Sequence, residues 1–322
     1  MRPVVPILAL AATAALLTAC AGSARSVPET APTAQSVSVD NCGTLVTFPK
    51  APERVVTIKS STTEMLLALG VGDRIVGMAY PDGPLPEGAL EIPILADQVP
   101  SQEAVLELEP DLVYAGWESN LSVSGAGERA MYESLGVKTF VAPSACQGDG
   151  YRPDPLTFDH LWAEIRQVAA IFRVEDAATD LIADQTAQLA EVRPIDGEVT
   201  ALWFSSGSDD IPFVGGGIGA AQLMMETLGL TNIAADIDES WASFSWEAVI
   251  RENPDVIVLV DAAWHTAEHK IQALESNPAT AKLSAVRNKH YLLVDFAATE
   301  AGVRTVPAVL DLAAQLDRLD LD

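Results

Sequence analysis

From residue 40 onward, short β-branched apolar runs alternate with stretches of helical periodicity. Residues 54–58 (Arg-Val-Val-Thr-Ile) read as a buried strand, and Met65, Leu66, Leu67 and Leu69 trace one face of the helix after it. Ser60, Ser61 and Thr62 are the expected capping side chains of that helix, and Gly70 its stop. Further strands are expected at 75–78, 111–115 and 137–142. A long amphipathic stretch covers 157–192, with a break near Arg173-Val174-Glu175 and a stop at Pro194. The alternation resumes with strands at 199–204, 256–260 and 291–294, and a last helix starts at about Val306. Apolar strands separated by helices predict an α/β fold of mostly parallel sheets covered on both faces.

An internal echo divides this pattern in two. Ser101, Glu103, Ala104, Val105, Pro110 and Asp111 recur at an offset of 144 as Ser245, Glu247, Ala248, Val249, Pro254 and Asp255. Each copy reads as a helix closed by Pro-Asp and fed into a strand. The repeat predicts two similar α/β lobes, 40–155 and 195–322, with a helical linker at 156–194. The alternative is coincidence, since helix–Pro-Asp–strand punctuation is common.

The first residues read differently. Arg2 precedes an uncharged apolar run, 4–17, too short for the roughly 20 residues of a spanning helix. The run ends in Leu17-Thr18-Ala19-Cys20, which resembles a lipoprotein signal whose cysteine is acylated; an ordinary secretory signal is the alternative. Residues 1–19 are then a removed signal peptide, Cys20 the lipidation site, and 20–39, rich in Ala, Ser, Pro and Thr, a flexible tether. An extracytoplasmic protein held at the outer face of the cell membrane only by its lipid is expected. Setting Cys20 aside leaves Cys42 and Cys146 as an even pair in an oxidising compartment, hence a disulfide, with two separate buried thiols as the alternative. The 322 residues carry 19 Lys+Arg against 45 Asp+Glu, a formal charge of -26, which excludes nucleic-acid binding and polybasic membrane attachment.

In open parallel sheets small molecules sit outside the carboxyl ends of the strands. The residues just after each strand are therefore the candidate ligand contacts: Lys59, Ser60, Ser61, Tyr80, Trp117, Glu118 and Ser144 in the first lobe, and Trp203 to Ser206, Phe213 and Trp264 in the second. Trp241 and Trp246 flank another loop of the second lobe. Exposed aromatic faces suit a flat conjugated ligand; ordinary core packing is the alternative for each tryptophan. Gly215, Gly216 and Gly217 open a G-x-G-x-x-A run whose free N–H groups, with Lys59 or Arg304, could receive an anionic arm. A dinucleotide fingerprint is disfavoured, because Pro212-Phe213-Val214 is too short a strand to precede one. His265-Thr266-Ala267-Glu268-His269 matches a zinc-protease pattern but reads as a solvated helix face opposite a buried stripe of Trp264, Ile271 and Leu274. No metal and no cofactor are expected, and no catalytic constellation stands out.

The paired helix–Pro-Asp segments, the opening Arg-Val-Val-Thr-Ile strand, the helix ending Leu69-Gly70, the bridging stretch and the Cys20 signal together resemble the iron-siderophore/cobalamin class of ABC-transporter substrate-binding lipoproteins. The resemblance covers residues 40–322. It implies lobes joined by a single long helix, a ligand held between them, and Glu103 and Glu247 docking on an ABC permease served by its ATPase. Read alone, those two glutamates are solvated helix carboxylates. Within the class, segments 57–64, 114–120 and 298–304 are most similar to an actinobacterial branch proposed to bind a precursor of the deazaflavin coenzyme F(420). The expected function is capture of a flat conjugated or chelate-type molecule (deazaflavin precursor, corrinoid, haem or ferric siderophore) by a monomer that is not an enzyme. The competing reading is an exported hydrolase using the same cleft.

Overall fold

The computed structural model describes residues 36–152, 155–207 and 211–321. The expected signal peptide, the expected lipidation site Cys20 and most of the expected tether lie outside the described residues. The expected end of the tether at 39 is corrected: β1 (Val37–Asn41) already pairs antiparallel with β2 (Thr44–Phe48), Val37 opposite Phe48.

Two separate sheets form the body. The first has the order β5-β4-β3-β6-β7 and is wholly parallel, built from β3 (Val55–Ile58), β4 (Ile75–Ala79), β5 (Ile94–Ala96), β6 (Leu112–Ala115) and β7 (Lys138–Val141). Helices α1 (Ser60–Ala68), α2 (Gln102–Glu107) and α3 (Arg129–Ser134) make its connections. Every residue of β3 and β6 is buried, as strands covered on both faces require.

Helices α4 (Phe158–Phe172) and α5 (Glu175–Leu189) lead to the second sheet. The expected helical stretch breaks at the predicted place, because Arg173 takes a left-handed conformation (φ 63°) between α4 and α5.

The second sheet runs β11-β9-β8-β12-β13, from β8 (Val199–Gly207), β9 (Pro212–Gly215), β11 (Trp241–Ser243), β12 (Val256–Asp261) and β13 (Tyr291–Asp295). It is mixed: β9 runs antiparallel to both of its neighbours, β8 and β11, and β10 (Leu230–Asn232) shares the β9 edge of β8, pairing with its first half. Around it lie α6 (Ala220–Thr227), α7 (Trp246–Glu252), α8 (Ala267–Ser276), α9 (Ser284–Asn288), α10 (Phe296–Thr299) and α11 (Thr305–Leu316).

The echoed segments occupy equivalent places. Ser101 and Ser245 cap α2 and α7, accepting hydrogen bonds from the Ala104 and Ala248 N–H groups at 3.2 and 3.1 Å. The Asp111 carboxylate accepts from the Glu53 and Arg54 N–H groups, and Asp255 from the Thr200 N–H and hydroxyl, so each Pro-Asp ties its strand to the first strand of its own sheet. By contrast, no Ser or Thr side chain caps α1: the Ser60 hydroxyl instead accepts from the Asp82 N–H at 2.9 Å.

One apolar core passes between the lobes without interruption. It joins Tyr114 and Phe140 of the first sheet, through Ile165, Val168 and Phe172 of α4, to Trp203 and Val258 of the second. Each lobe has a further cluster of its own, around Val113 and Tyr132 in one and Leu259 and Leu274 in the other. A shared core of this kind makes large independent lobe rotation costly.

Cys42 and Cys146 form a disulfide, Cα–Cα 5.3 Å, that pins the β1–β2 turn to the loop after β7. The Asn41 side chain supports the same junction by exchanging hydrogen bonds with both backbone groups of Val141. Replacing both cysteines with serine should lower the unfolding free energy by roughly 4 kcal/mol in the chain-entropy account; equal denaturant midpoints for the two proteins would contradict this.

Candidate functional site

The strand order of each sheet reverses once, between β3 and β6 in the first and between β8 and β12 in the second. Such switch points leave a crevice beyond the strand ends. Residues just past both sets of ends line one cavity of about 500 Å³. Tyr80 and Trp117 come from the first lobe; Phe213, Trp241, Trp264 and Phe296 come from the second. Phe213 and Trp241 stack with ring planes 15° apart, while Tyr80–Trp117 and Trp264–Phe296 meet edge to face. The volume and these aromatic walls suit a flat organic molecule. Beneath lies a narrower pocket of about 90 Å³, lined by Ser61 and Ser144 on one side and Gly219 and Ser240 on the other, with Trp117 and Trp241 shared.

Lys59 is placed behind this wall rather than in it. It is fully buried, ion-paired with Asp82, and its ammonium lies 4.2 Å from the Tyr80 ring centre, 3.7 Å from Trp117 and 5.1 Å from Phe296. Its backbone is left-handed (φ 85°), a conformation that costs about 1–3 kcal/mol outside glycine. Gly116 makes the room: a Cβ there would stand 2.7 Å from the Lys59 Cβ. Lys59, expected to receive an anionic ligand arm, has its ammonium already paired with the Asp82 carboxylate. Ser60 is likewise buried beneath, held by Asp82.

Arg304 is elsewhere too. Its guanidinium makes two hydrogen bonds to Glu64 of α1, at 2.5 and 2.6 Å, and one to the Pro84 carbonyl. It lines a separate cavity of about 660 Å³ beside α5 and α11.

Packing places four further expected contacts away from this cavity or engages them within the chain. Trp203 is wholly buried in the core. Trp246 packs edge to face on Phe204 and lines another pocket of about 680 Å³ in the second lobe. Glu118 accepts the Gln147 N–H at 2.7 Å and does not line the cavity. In the glycine run the N–H groups of Gly216 and Gly217 are not free, because they donate to the Ser240 and Ile237 carbonyls. A Cβ on either would stand within 2.2 or 1.9 Å of a carbonyl oxygen, and one on Gly215 within 2.4 Å of Ala221. The run exists so that two chain segments can cross closely.

The histidine segment also differs from expectation. Trp264 is 62% exposed, not part of a buried stripe, whereas Lys270 is fully buried and its ammonium donates to the Val260 and His265 carbonyls. Burial pushes the Lys270 ammonium down to about 8. The His265 and His269 rings lie 5.3 Å apart, but among the described residues no group of three or more His, Cys, Asp or Glu is placed to hold a metal.

Strand-end reasoning reaches Phe296, the first residue after β13, although it was not among the candidates. Glu300 carries no such signal. It follows α10, lines both pockets, and accepts the Trp117 indole N–H at 2.8 Å, a contact between lobes.

The sequence and fold of this chain are similar to those of known proteins. A family model described as periplasmic binding protein matches residues 55–298. The chain belongs to this family. An ABC transporter substrate-binding lipoprotein of Bacillus subtilis, itself uncharacterised, is 25% identical over 84% of this chain and 82% of its own. A cobalamin-binding protein of Halobacterium salinarum is 30% identical over 68% of this chain and 57% of its own. The crystal structure of an ABC-type Fe3+-hydroxamate transport system from Saccharomonospora viridis superposes with a TM-score of 0.72 at 26% identity, covering 87% of this chain and 98% of that one. These relatives are named as binding or transport proteins, not as enzymes. No helix among the described residues of this periplasmic binding protein is long and apolar enough to cross a membrane.

Below the narrow pocket, Glu164 of α4 is buried, accepting from the Tyr114 hydroxyl at 3.2 Å and the Ser144 N–H at 3.4 Å. Burial pushes its carboxyl up to about 7, outweighing those hydrogen bonds. Because the folded value is raised, the stability that the neutral acid confers is present at low pH and is lost as pH climbs from the ordinary carboxylate range towards 7. Glu164→Gln should therefore flatten the fall in melting temperature over that interval and be more stable than the parent at about pH 8; parallel pH profiles would refute it.

Proposed function

We propose that this protein is the extracytoplasmic capture component of an ABC importer, anchored through a lipid on Cys20. It takes up a flat conjugated or chelate-type molecule in the interlobe cavity. The observation that carries the reading is the aromatic-walled space of about 500 Å³ at the meeting of two topological switch points. Tyr80, Trp117, Phe213, Trp241 and Trp264 are the contacts retained from the sequence, joined by Phe296, with Ser61 and Ser144 below. A deazaflavin precursor, named for one branch of the resemblance, and a corrinoid both fit a wall of ring faces. Each stacked ring adds about 0.5–1.5 kcal/mol beyond area burial. Trp117→Ala and Trp241→Ala should each weaken such a ligand roughly tenfold, measured by quenching of the remaining tryptophan fluorescence. Unchanged affinity in both variants would remove the cavity as the binding site.

Delivery requires a surface that the permease reads. Glu103 and Glu247 are both exposed and both stand at the second position of matched, serine-capped helices. Carboxylates at helix N-termini are favoured there by the dipole, so two such equivalent charges are also structurally tolerated. The proposed docking role separates from that local one by function: reversing both charges to arginine should abolish import in cells while leaving ligand affinity of the purified protein unchanged. Import at the parent rate would rule docking out.

A further inference from the structure

The wall of the cleft carries charge of one sign. The two cations that the sequence placed near a ligand are already paired, Lys59 with Asp82 and Arg304 with Glu64. Among the described residues no Lys, Arg or His lines the cavity of about 500 Å³ or the narrow pocket below it. Asp82, Asp97 and Glu300 do; the Lys59 ammonium pairs directly with Asp82 and acts on Glu300 at longer range.

Glu300 is the unusual member. Its Oε2 accepts the Trp117 indole N–H, while its Oε1 is buried with no hydrogen-bond partner. A buried acceptor left unpaired is rare in folded proteins and calls for a partner that the chain itself does not supply. Burial raises the carboxyl above its ordinary value, and the nearby Lys59 ammonium opposes that shift. The remaining wall is ring faces, which carry the negative end of the aromatic quadrupole and attract cations and the positive edges of donors. With a chain charge of -26 behind it, such a wall disfavours an anion, offset only by the Asp82-paired Lys59 ammonium behind three of its rings.

We propose, building on the capture reading, that the cleft filters ligands by charge. It admits flat molecules that are neutral or cationic and carry amide, imide or hydroxyl donors on their rim, and it turns away carboxylate- and catecholate-bearing chelates. Glu300 sets that preference, by accepting a ligand donor at Oε1 and by its like charge towards anions.

The test is a fluorescence titration of the purified protein with four probes. Cyanocobalamin and riboflavin are donor-rimmed, while haemin and a ferric tris-catecholate carry negative charge. The parent protein should hold at least one of the first pair about tenfold or more tighter than either of the second, as expected for a hydrogen bond to a charged group. Glu300→Gln, which keeps an acceptor for the Trp117 indole, should narrow that ratio about tenfold, and Glu300→Lys should invert it. Asp97→Asn, a change on the exposed side of the cavity, provides a second reading of the charge if the lysine variant does not fold. Haemin held as tightly as the donor-rimmed probes, or a ratio unmoved by Glu300→Gln, overturns the charge filter and leaves the capture reading intact. Quenching by none of the four probes overturns both.

Discussion

A lysine ammonium removed from water costs several kcal/mol unless an opposite charge and polarisable groups replace its hydration. At the turn from β3 to α1 this protein supplies both: Asp82 contacts the Lys59 ammonium, and three aromatic rings surround it. The arrangement fixes more than the lysine. Tyr80 and Trp117 are the first-lobe wall of the cavity, Phe296 belongs to the opposite wall, and all three turn a face towards the same buried charge. A cation–π contact in a desolvated site is worth about 2 kcal/mol or more, enough to hold a ring in one orientation. The strained backbone at Lys59 is tolerated because these contacts over-determine its position.

The two lobes solve the same local problem in the same way. A serine-capped helix ends, Pro-Asp follows, and the aspartate reaches back to the first strand of its sheet, which sets the pairing of the two central strands: Val55 opposite Leu112 in the first sheet and Ala201 opposite Val256 in the second. Between the lobes, contacts of different kinds converge: the continuous core through α4 and α5, the Trp117–Glu300 hydrogen bond, and the Glu64–Arg304 ion pair at the far end of the same interface. Together they describe a cleft whose width is set by packing between the lobes.

The central strands, the helical stretch with its break at Arg173 and the pairing of lobes were legible because each rests on local signals: β-branched runs, periodicity, capping residues and a repeated segment. The short strands β5, β9, β10 and β11 were not: β5, β10 and β11 have three residues each and the four of β9 include a proline and a glycine, whereas β3 and β6, also four residues long, are nearly unbroken apolar runs. The rule that ligands sit beyond strand ends found most of the aromatic wall. It could not tell a residue that faces the cavity from one that faces away: Trp203 lies within a strand and points into the core, while Trp264, just past one, stands 62% exposed.

The chain by itself determined the two-lobed α/β architecture, the disulfide partners and the strand ends at which the aromatic-walled cavity lies, because these follow from interactions between near neighbours or from composition. Only the tertiary structure decided which charges remain available to a ligand. Lys59 is neutralised by a residue 23 positions away, Arg304 by one 240 positions away, and Glu300 is brought beside Trp117 across 183. Charge pairing falls off over a few ångströms and ignores sequence distance, so no local pattern could have shown that the cations would be consumed and a carboxylate left facing the cleft.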